Sequence, residues 1–481
     1  MSSDSAESYD LVLVGSGFAS SFFLLEYLRR AGEGARILVL ERGARHSHRW
    51  QLDHPRGMTA PAQKTFINRT PAKPWVYSMG VGGGSNCWWA CTPRMLPEDF
   101  ELHSRYGIGR DWPLDYDALE EFYTQAEEVM AVSGPEDGTP SPRSRPYPQP
   151  PHRMSDPDRI LKRAYPDQFF VQPTARARVA TSRRPRCCAS GVCTLCPIDA
   201  KFTIQNELGH LFEDARVTLR TNATAQRVET RGPVATGVHY LHQGNQRFAT
   251  GELVALGANA LFNPHLLLRS GLDHPLLGRR LHEQVSVMAT LWLDGVDNFQ
   301  GSTSLTGHGY MLYGGPRRRE HPATLLETSN IPRLRVERGR YRQILDLKLI
   351  LEDLPQAENA VALNPQTPQR PEVSYHGHSE YVARGLATVR SDLERTLAPL
   401  PIERIELDEE VRPTEFHILG TTVMGEDPEQ SVVDRQLVHH TVRNLLVLGG
   451  STFPTGAPAN PTLTICALSL LAAERLMRAQ A

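Results

Sequence analysis

The feature that most constrains the fold is an apolar run, Leu11-Val12-Leu13-Val14, that stops on Gly15-Ser16-Gly17 and enters a helical pattern through Phe22, Leu24, Leu25, Leu28 and Ala31. A strand passing through a glycine turn into a helix brings backbone N–H groups up to an anion, as dinucleotide-binding folds require. A second buried-strand run, Ile37 to Leu40, ends at Glu41, where a carboxylate accepts hydrogen bonds from a ribose. The position of the usual third glycine is Ser20, small enough for close helix–strand packing at some loss of turn freedom. Taken alone, the motif also fits an unrelated strand–turn–helix unit.

The 481 residues suffice for two or more lobes. Hydrophobic content of 40% and charged content of 22% are those of a globular chain. A formal charge of -2 gives no electrostatic case for nucleic acid. No apolar window approaches the ~18 residues of a membrane span, so no direct membrane insertion is expected. The first ten residues, MSSDSAESYD, show neither a basic n-region nor an apolar h-region. The expectation is therefore a cytoplasmic protein, with export to the periplasm alongside a signal-bearing subunit as the alternative.

Further strands are expected over 217–221, 253–256, 285–293, 343–351 and 445–448, and helices over 381–397 and 461–477. The stretch 134–157 is dense in Pro, Gly, Ser and Arg and reads as a long surface excursion. A second glycine run, Gly80-Val81-Gly82-Gly83-Gly84-Ser85-Asn86, adjoins Cys87, Trp88, Trp89 and Cys91, bulky apolar residues that favour burial over a loose loop. Four cysteines, Cys187, Cys188, Cys193 and Cys196, fall within ten residues, and Pro197 follows. Thiolates this crowded suit an iron–sulfur cluster or tetrahedral zinc; disulfides are the plainer alternative. Arg183, Arg184 and Arg186 beside them read as a solvated face or as a dock for an acidic acceptor, and His439 and His440 as surface residues.

Several motifs occur in one order along nearly the whole chain: YDLVLVGSGFASS with LERG, MGVGGGSNCWWACTPRM, VALGANALFNPHLLLRSG with LGRRL, LEDLPQAENAVALNP, and FHILGTTVMG with ANPTLTICALS. Together they resemble the glucose-methanol-choline (GMC) family of FAD-dependent oxidoreductases. The stretch IGRDWPLDYDALEEFYTQAEEVMAVSG and the cysteines bring the resemblance nearest to bacterial sugar and gluconate dehydrogenase catalytic subunits.

The resemblance implies an α/β GMC fold: a Rossmann-like FAD-binding domain with an inserted, sheet-rich α+β substrate domain. The expected boundaries are 1–130, 198–290 and 402–481 for the FAD domain, 131–197 for a loop excursion carrying the cysteines, and 291–401 for the substrate domain. It implies that FAD is held by Gly15, Gly17, Ser20, Glu41, Arg42, Gly83, Gly84, Ser85, Asn86, Gly450, Ser451, Pro461 and Thr462. No histidine lies between Gly80 and Arg94, so a histidyl tether to flavin is not expected.

In the resembling family, His417 takes the place of the catalytic histidine and Asn460 the position that holds either Asn or His. An imidazole, with its pKa near neutrality, suits removal of a hydroxyl proton while hydride leaves the same carbon. The resemblance further implies a three-iron cluster on Cys187, Cys188, Cys193 and Cys196, relaying electrons to a cytochrome or other acceptor protein, with a small accessory subunit. The interval Cys193 to Cys196 is one residue shorter than is usual in those relatives. The expectation is an FAD-dependent alcohol or sugar dehydrogenase. The alternatives are an oxygen-using oxidase, a tailoring enzyme for a bulky biosynthetic alcohol, and a non-redox lyase on the same fold.

Overall fold

A computed structural model describes residues 7–480. Part of the N-terminal stretch read for export features, residues 1–6, lies outside them. The strand Glu7–Val14 sits inside a seven-stranded sheet, parallel to Ile37–Leu40 on one side and to Asn245–Leu256 on the other. Val217–Arg220 extends the first edge in parallel, and Leu445–Val447 joins the far end of Asn245–Leu256, also in parallel. The central strands are buried on both faces, which accounts for their unbroken Leu, Val and Ile runs. The helix Phe18–Arg30 packs on this sheet and against the terminal helix Thr462–Gln480. Three parallel strands of this sheet therefore draw on the start, middle and end of the chain.

A second, six-stranded sheet runs in the order Ile402–Leu407, Val285–Leu293, Ile344–Leu351, Thr324–Ser329, Leu305–Leu312, Phe169–Val171, all antiparallel neighbours. Its apolar face is covered by the helix Glu380–Thr396 through Val382, Val389 and Leu393. The sheet overrides the expected domain borders. Val285–Leu293 is one continuous strand across the border at 290, because its alternating pattern pairs over its whole length with Ile344–Leu351. Ile402–Leu407 also belongs to this sheet, as does Phe169–Val171 from within the supposed loop excursion.

The excursion itself is pinned. Arg94, buried just after the second glycine run, donates to both oxygens of buried Glu127 at 2.8 and 2.9 Å, to Glu120 at 2.9 Å and to Pro142 O at 3.3 Å. Arg143 closes on Glu127 from the other side at 2.6 Å. Glu120 and Glu127 lie on the helix Tyr116–Met130, whose Tyr123 hydroxyl meets Thr464 at 2.8 Å on the terminal helix. Two other expectations change. Arg184 is 1% exposed and donates to Glu207, Ala175 O and Met130 O, so it is an internal brace, whereas Arg183 and Arg186 face solvent. His439 is buried rather than on the surface, because its backbone closes against Leu445 O at 2.8 Å. Among the described residues no helix is long and apolar enough to cross a membrane.

Replacing Arg94 by leucine strips Glu127 and Glu120 of a buried partner, and a broken buried ion pair costs about 3 kcal/mol or more. The Arg94→Leu protein should unfold at lower denaturant than the parent. An unchanged midpoint would show that Arg143 alone neutralises Glu127.

Candidate active site

The two glycine runs form one cradle. Gly15 adopts φ +92°, and a Cβ there would stand 2.5 Å from Gly257 O, so any side chain is strained and obstructed. Gly257 in turn presses on Ser20: its Cβ would fall 2.0 Å from Ser20 Oγ. Ser20 thus performs the helix–strand packing expected of the missing glycine. Gly82 and Gly83 are also left-handed, and a Cβ on Gly83 would meet Gly17 Cα at 3.2 Å, so the second run lies directly on the first turn. Glu41 joins them, accepting from Ser16 Oγ at 2.6 Å, Gly43 N at 2.8 Å and Gly80 N at 3.1 Å.

A Cβ at Gly17 or Gly84 meets nothing within 4 Å, which leaves an open cleft beside a helix start with no acidic residue in its first turn. Backbone amides without a competing carboxylate favour an anion there. Arg42 stacks over Phe262 at 4.9 Å, and Ser85 and Asn86 bond inside their own loop, Asn86 Nδ2 to Val81 O and Gly83 O at 3.0 Å each. Gly450 and Ser451 form a single turn after the strand Leu445–Val447; their carbonyls accept from Gly420 N and Thr422 N. Pro461 accepts from Ile465 N at the start of the terminal helix, beside Thr462. These residues fit a dinucleotide such as FAD.

At the other end, His417 and Asn460 are brought together by a residue that the motif reading passed over. Gln284 donates its Nε2 hydrogens to Ala457 O at 2.8 Å and Ala459 O at 3.1 Å. Those two carbonyls fix the amide orientation, so Gln284 Oε1 faces His417 Nδ1 at 3.1 Å and only accepts. His417 therefore carries its hydrogen on Nδ1, and Nε2 holds a free lone pair. Burial is the main reason the imidazole titrates low, at about 4, with Glu415 opposing and Lys348 reinforcing the shift. Asn460 Oδ1, one residue beyond the Ala459 carbonyl that Gln284 holds, is buried without a hydrogen-bond partner. The backbone is left-handed at Phe416, φ +62°, and at Thr421, φ +90°, conformations that persist only where surrounding contacts enforce them.

Glu283 supplies that enforcement around Phe416. Fully buried, it pairs with Lys73 and accepts from Thr414 Oγ1 at 3.1 Å, Glu415 N at 3.2 Å and His417 N at 3.3 Å. The sequence signal for both residues was the polar triplet His282-Glu283-Gln284 set immediately before an apolar strand.

The cysteines do not assemble as expected. Among the described residues, no three His, Cys, Asp or Glu side chains are placed to hold a metal ion. Cys188 is exposed, Cys193 Sγ donates to Ser304 Oγ at 3.1 Å, Cys187 contacts Thr303 Oγ1 at 3.6 Å, and Cys196 Sγ accepts from Ala200 N at 3.2 Å. Three of the four thiols turn to polar partners of their own and Cys188 stays exposed, so this arrangement fits neither a three-iron cluster nor zinc. All four are free, and the loop is instead clamped by buried Lys201, whose Nζ donates to Thr194 O, Asn86 O and Trp88 O at 2.8–2.9 Å. Burial lowers that ammonium to about 8.

A glycine cradle that fits a dinucleotide, together with a neutral, oriented imidazole, suits a cofactor-dependent redox enzyme. Comparison with known proteins agrees: the chain matches the N-terminal GMC oxidoreductase domain over residues 172–286 and the C-terminal one over 355–469. It is similar to the fructose dehydrogenase large subunit of Gluconobacter japonicus, at 26% identity over 98% of each chain. It is similar also to paromamine 6'-oxidase of Streptomyces fradiae, at 27% identity over 98% of this chain and 92% of that one. Pyridoxine 4-oxidase from Mesorbium loti shares the fold, with a TM-score of 0.68 and 17% identity over 97% of this chain and 99% of that one. The protein belongs to the GMC oxidoreductases.

Gly15→Ala forces a left-handed alanine against Gly257 O. The purified variant should carry markedly less FAD per chain than the parent, read by flavin absorbance after denaturation. Full flavin content would mean that this turn does not shape the cofactor site.

Proposed function

We propose that the protein oxidises a CH–OH group of an alcohol or sugar, with His417 receiving the hydroxyl proton. FAD, which residues of the two glycine runs would hold, supplies the hydride-accepting chemistry. The observation that carries the reading is the Gln284 amide, which leaves His417 Nε2 unprotonated and available. The depressed pKa keeps the ring neutral at physiological pH, as a base must be. Asn460 orients the same hydroxyl by donating from its amide Nδ2 to the hydroxyl oxygen. As the proton arrives on Nε2, Gln284 Oε1 continues to hold Nδ1–H, so the imidazolium forms in place without turning.

The acceptor of the electrons lies outside the chain. The dehydrogenase relative, a large subunit by name, supports a protein partner; the paromamine oxidase relative supports oxygen. Because the cysteines do not converge, no step is assigned to them. Anaerobically reduced enzyme mixed with oxygen or with a one-electron dye separates the two: rapid reoxidation by dye alone marks a dehydrogenase.

His417→Ala should retain FAD but slow flavin reduction by alcohol roughly 100- to 10,000-fold, the usual weight of a general base. Gln284→Leu should slow it about 10- to 100-fold, as expected on losing a hydrogen bond to a group that becomes charged. The wild-type rate should hold from neutrality downward and fall as pH drops through about 4, where His417 gains its proton before substrate arrives. Parent-like reduction by His417→Ala in anaerobic stopped-flow would refute the assignment.

A further inference from the structure

The strand register lays a line of ionisable side chains across one face of the six-stranded sheet. His308 stands opposite Glu327, Glu327 opposite Lys348, and Lys348 opposite Met288 on the strand that follows Gln284. Directly opposed residues share a face. This row runs toward His417: Lys348 Nζ donates to Glu415 Oε2 at 3.1 Å, and Glu415 lies two residues from His417 and shares its Glu283 anchor. At the far end, Glu327 Oε2 accepts from Gln172 Nε2 at 2.7 Å, His308 Nε2 at 3.3 Å and Cys91 Sγ at 3.7 Å, and Gln172 Oε1 accepts from buried Arg176. None of these contacts uses Glu327 Oε1.

We propose that this row is the recognition floor of the substrate chamber, selecting a neutral polyhydroxylated molecule whose second hydroxyl donates to Glu327. The inference rests on the reading of His417 as the base for CH–OH oxidation. A single hydroxyl is consumed by His417 and Asn460, so a simple alcohol would lay its hydrocarbon tail over buried charge, which is costly. A polyol replaces the lost water with hydroxyls that donate to Glu327 and accept from Lys348. Charge balance excludes ionic substrates: Arg176 and Lys348 offset Glu327 and Glu415, and Lys73 offsets Glu283, so neither an ammonium nor a carboxylate finds an uncompensated partner. Although burial opposes its charge, Glu327 stays ionised, held at about 2 by the His308 hydrogen bond and by Lys348 and Arg176. It is therefore an acceptor only, suited to hydroxyl donors.

The test uses FAD-loaded enzyme under anaerobic conditions and follows flavin bleaching with hexitols and hexoses, straight-chain primary alcohols, amino sugars and aldonates. The best neutral polyol or sugar should exceed the best simple alcohol by roughly 100-fold or more in limiting rate over Kd. A simple alcohol, amino sugar or aldonate that matches it overturns the proposal. Bleaching by no alcohol or sugar overturns the CH–OH reading itself, a distinct result. Binding is measured separately by calorimetry in the His417→Ala background, where adding Glu327→Gln should weaken the best polyol about 10- to 100-fold. Unchanged affinity removes Glu327 from recognition. Should Glu327→Gln not fold, Lys348→Met is read in the same way.

Discussion

One buried carboxylate organises the segment that carries His417. Glu283 lies at the foot of the strand Val285–Leu293, paired with Lys73 and gathering Thr414 Oγ1 and the amides of Glu415 and His417. Burial alone would raise its pKa, and Lys73 works against that rise. A paired, hydrogen-bonded carboxylate is the form in which such a charge is tolerated inside a protein. Since Gln284 is the next residue, the anchor that fixes the backbone of His417 also delivers the amide that fixes its ring. The backbone position and the ring tautomer of His417 thus depend on two consecutive residues.

The first strand, its glycine turn and the second strand were legible in the sequence because each obeys a local rule: unbroken apolar runs for buried parallel strands, and glycine where φ is positive. Val285–Leu293 was recovered from its pattern alone. The borders between sheets were not legible, since Phe169–Val171 and Ile402–Leu407 join the second sheet through pairing with strands far along the chain. His417 and Asn460 were singled out through motif context. Gln284, Glu283 and the row from His308 to Lys348 were not, because their meaning lies in cross-strand register. Arg184 shows the reverse error: an arginine-rich run reads as surface, yet one member turns inward to cap backbone carbonyls at Ala175 and Met130.

The cysteine loop is where local pattern and three-dimensional arrangement part. Close spacing in sequence makes chelation geometrically available, but the loop path turns three thiols to Thr303, Ser304 and the Ala200 amide and leaves Cys188 exposed, and no metal-holding group forms among the described residues. Its strongest internal fastening is Lys201, a buried ammonium bridging the cysteine loop and the second glycine run. The loop is thereby tied to the second glycine run.

The cofactor sheet draws parallel strands from residues 11–14, 254–256 and 445–447, and the first helix is covered by the last one. During synthesis, the apolar face of Phe18–Arg30 emerges hundreds of residues before its cover at Thr462–Gln480. Such long-range closure is slow and leaves apolar surface exposed in the interim. A ribosome-bound chain still lacking Thr462–Gln480 would present that surface. Truncation within the last turns of this chain therefore bears on biogenesis more than on chemistry.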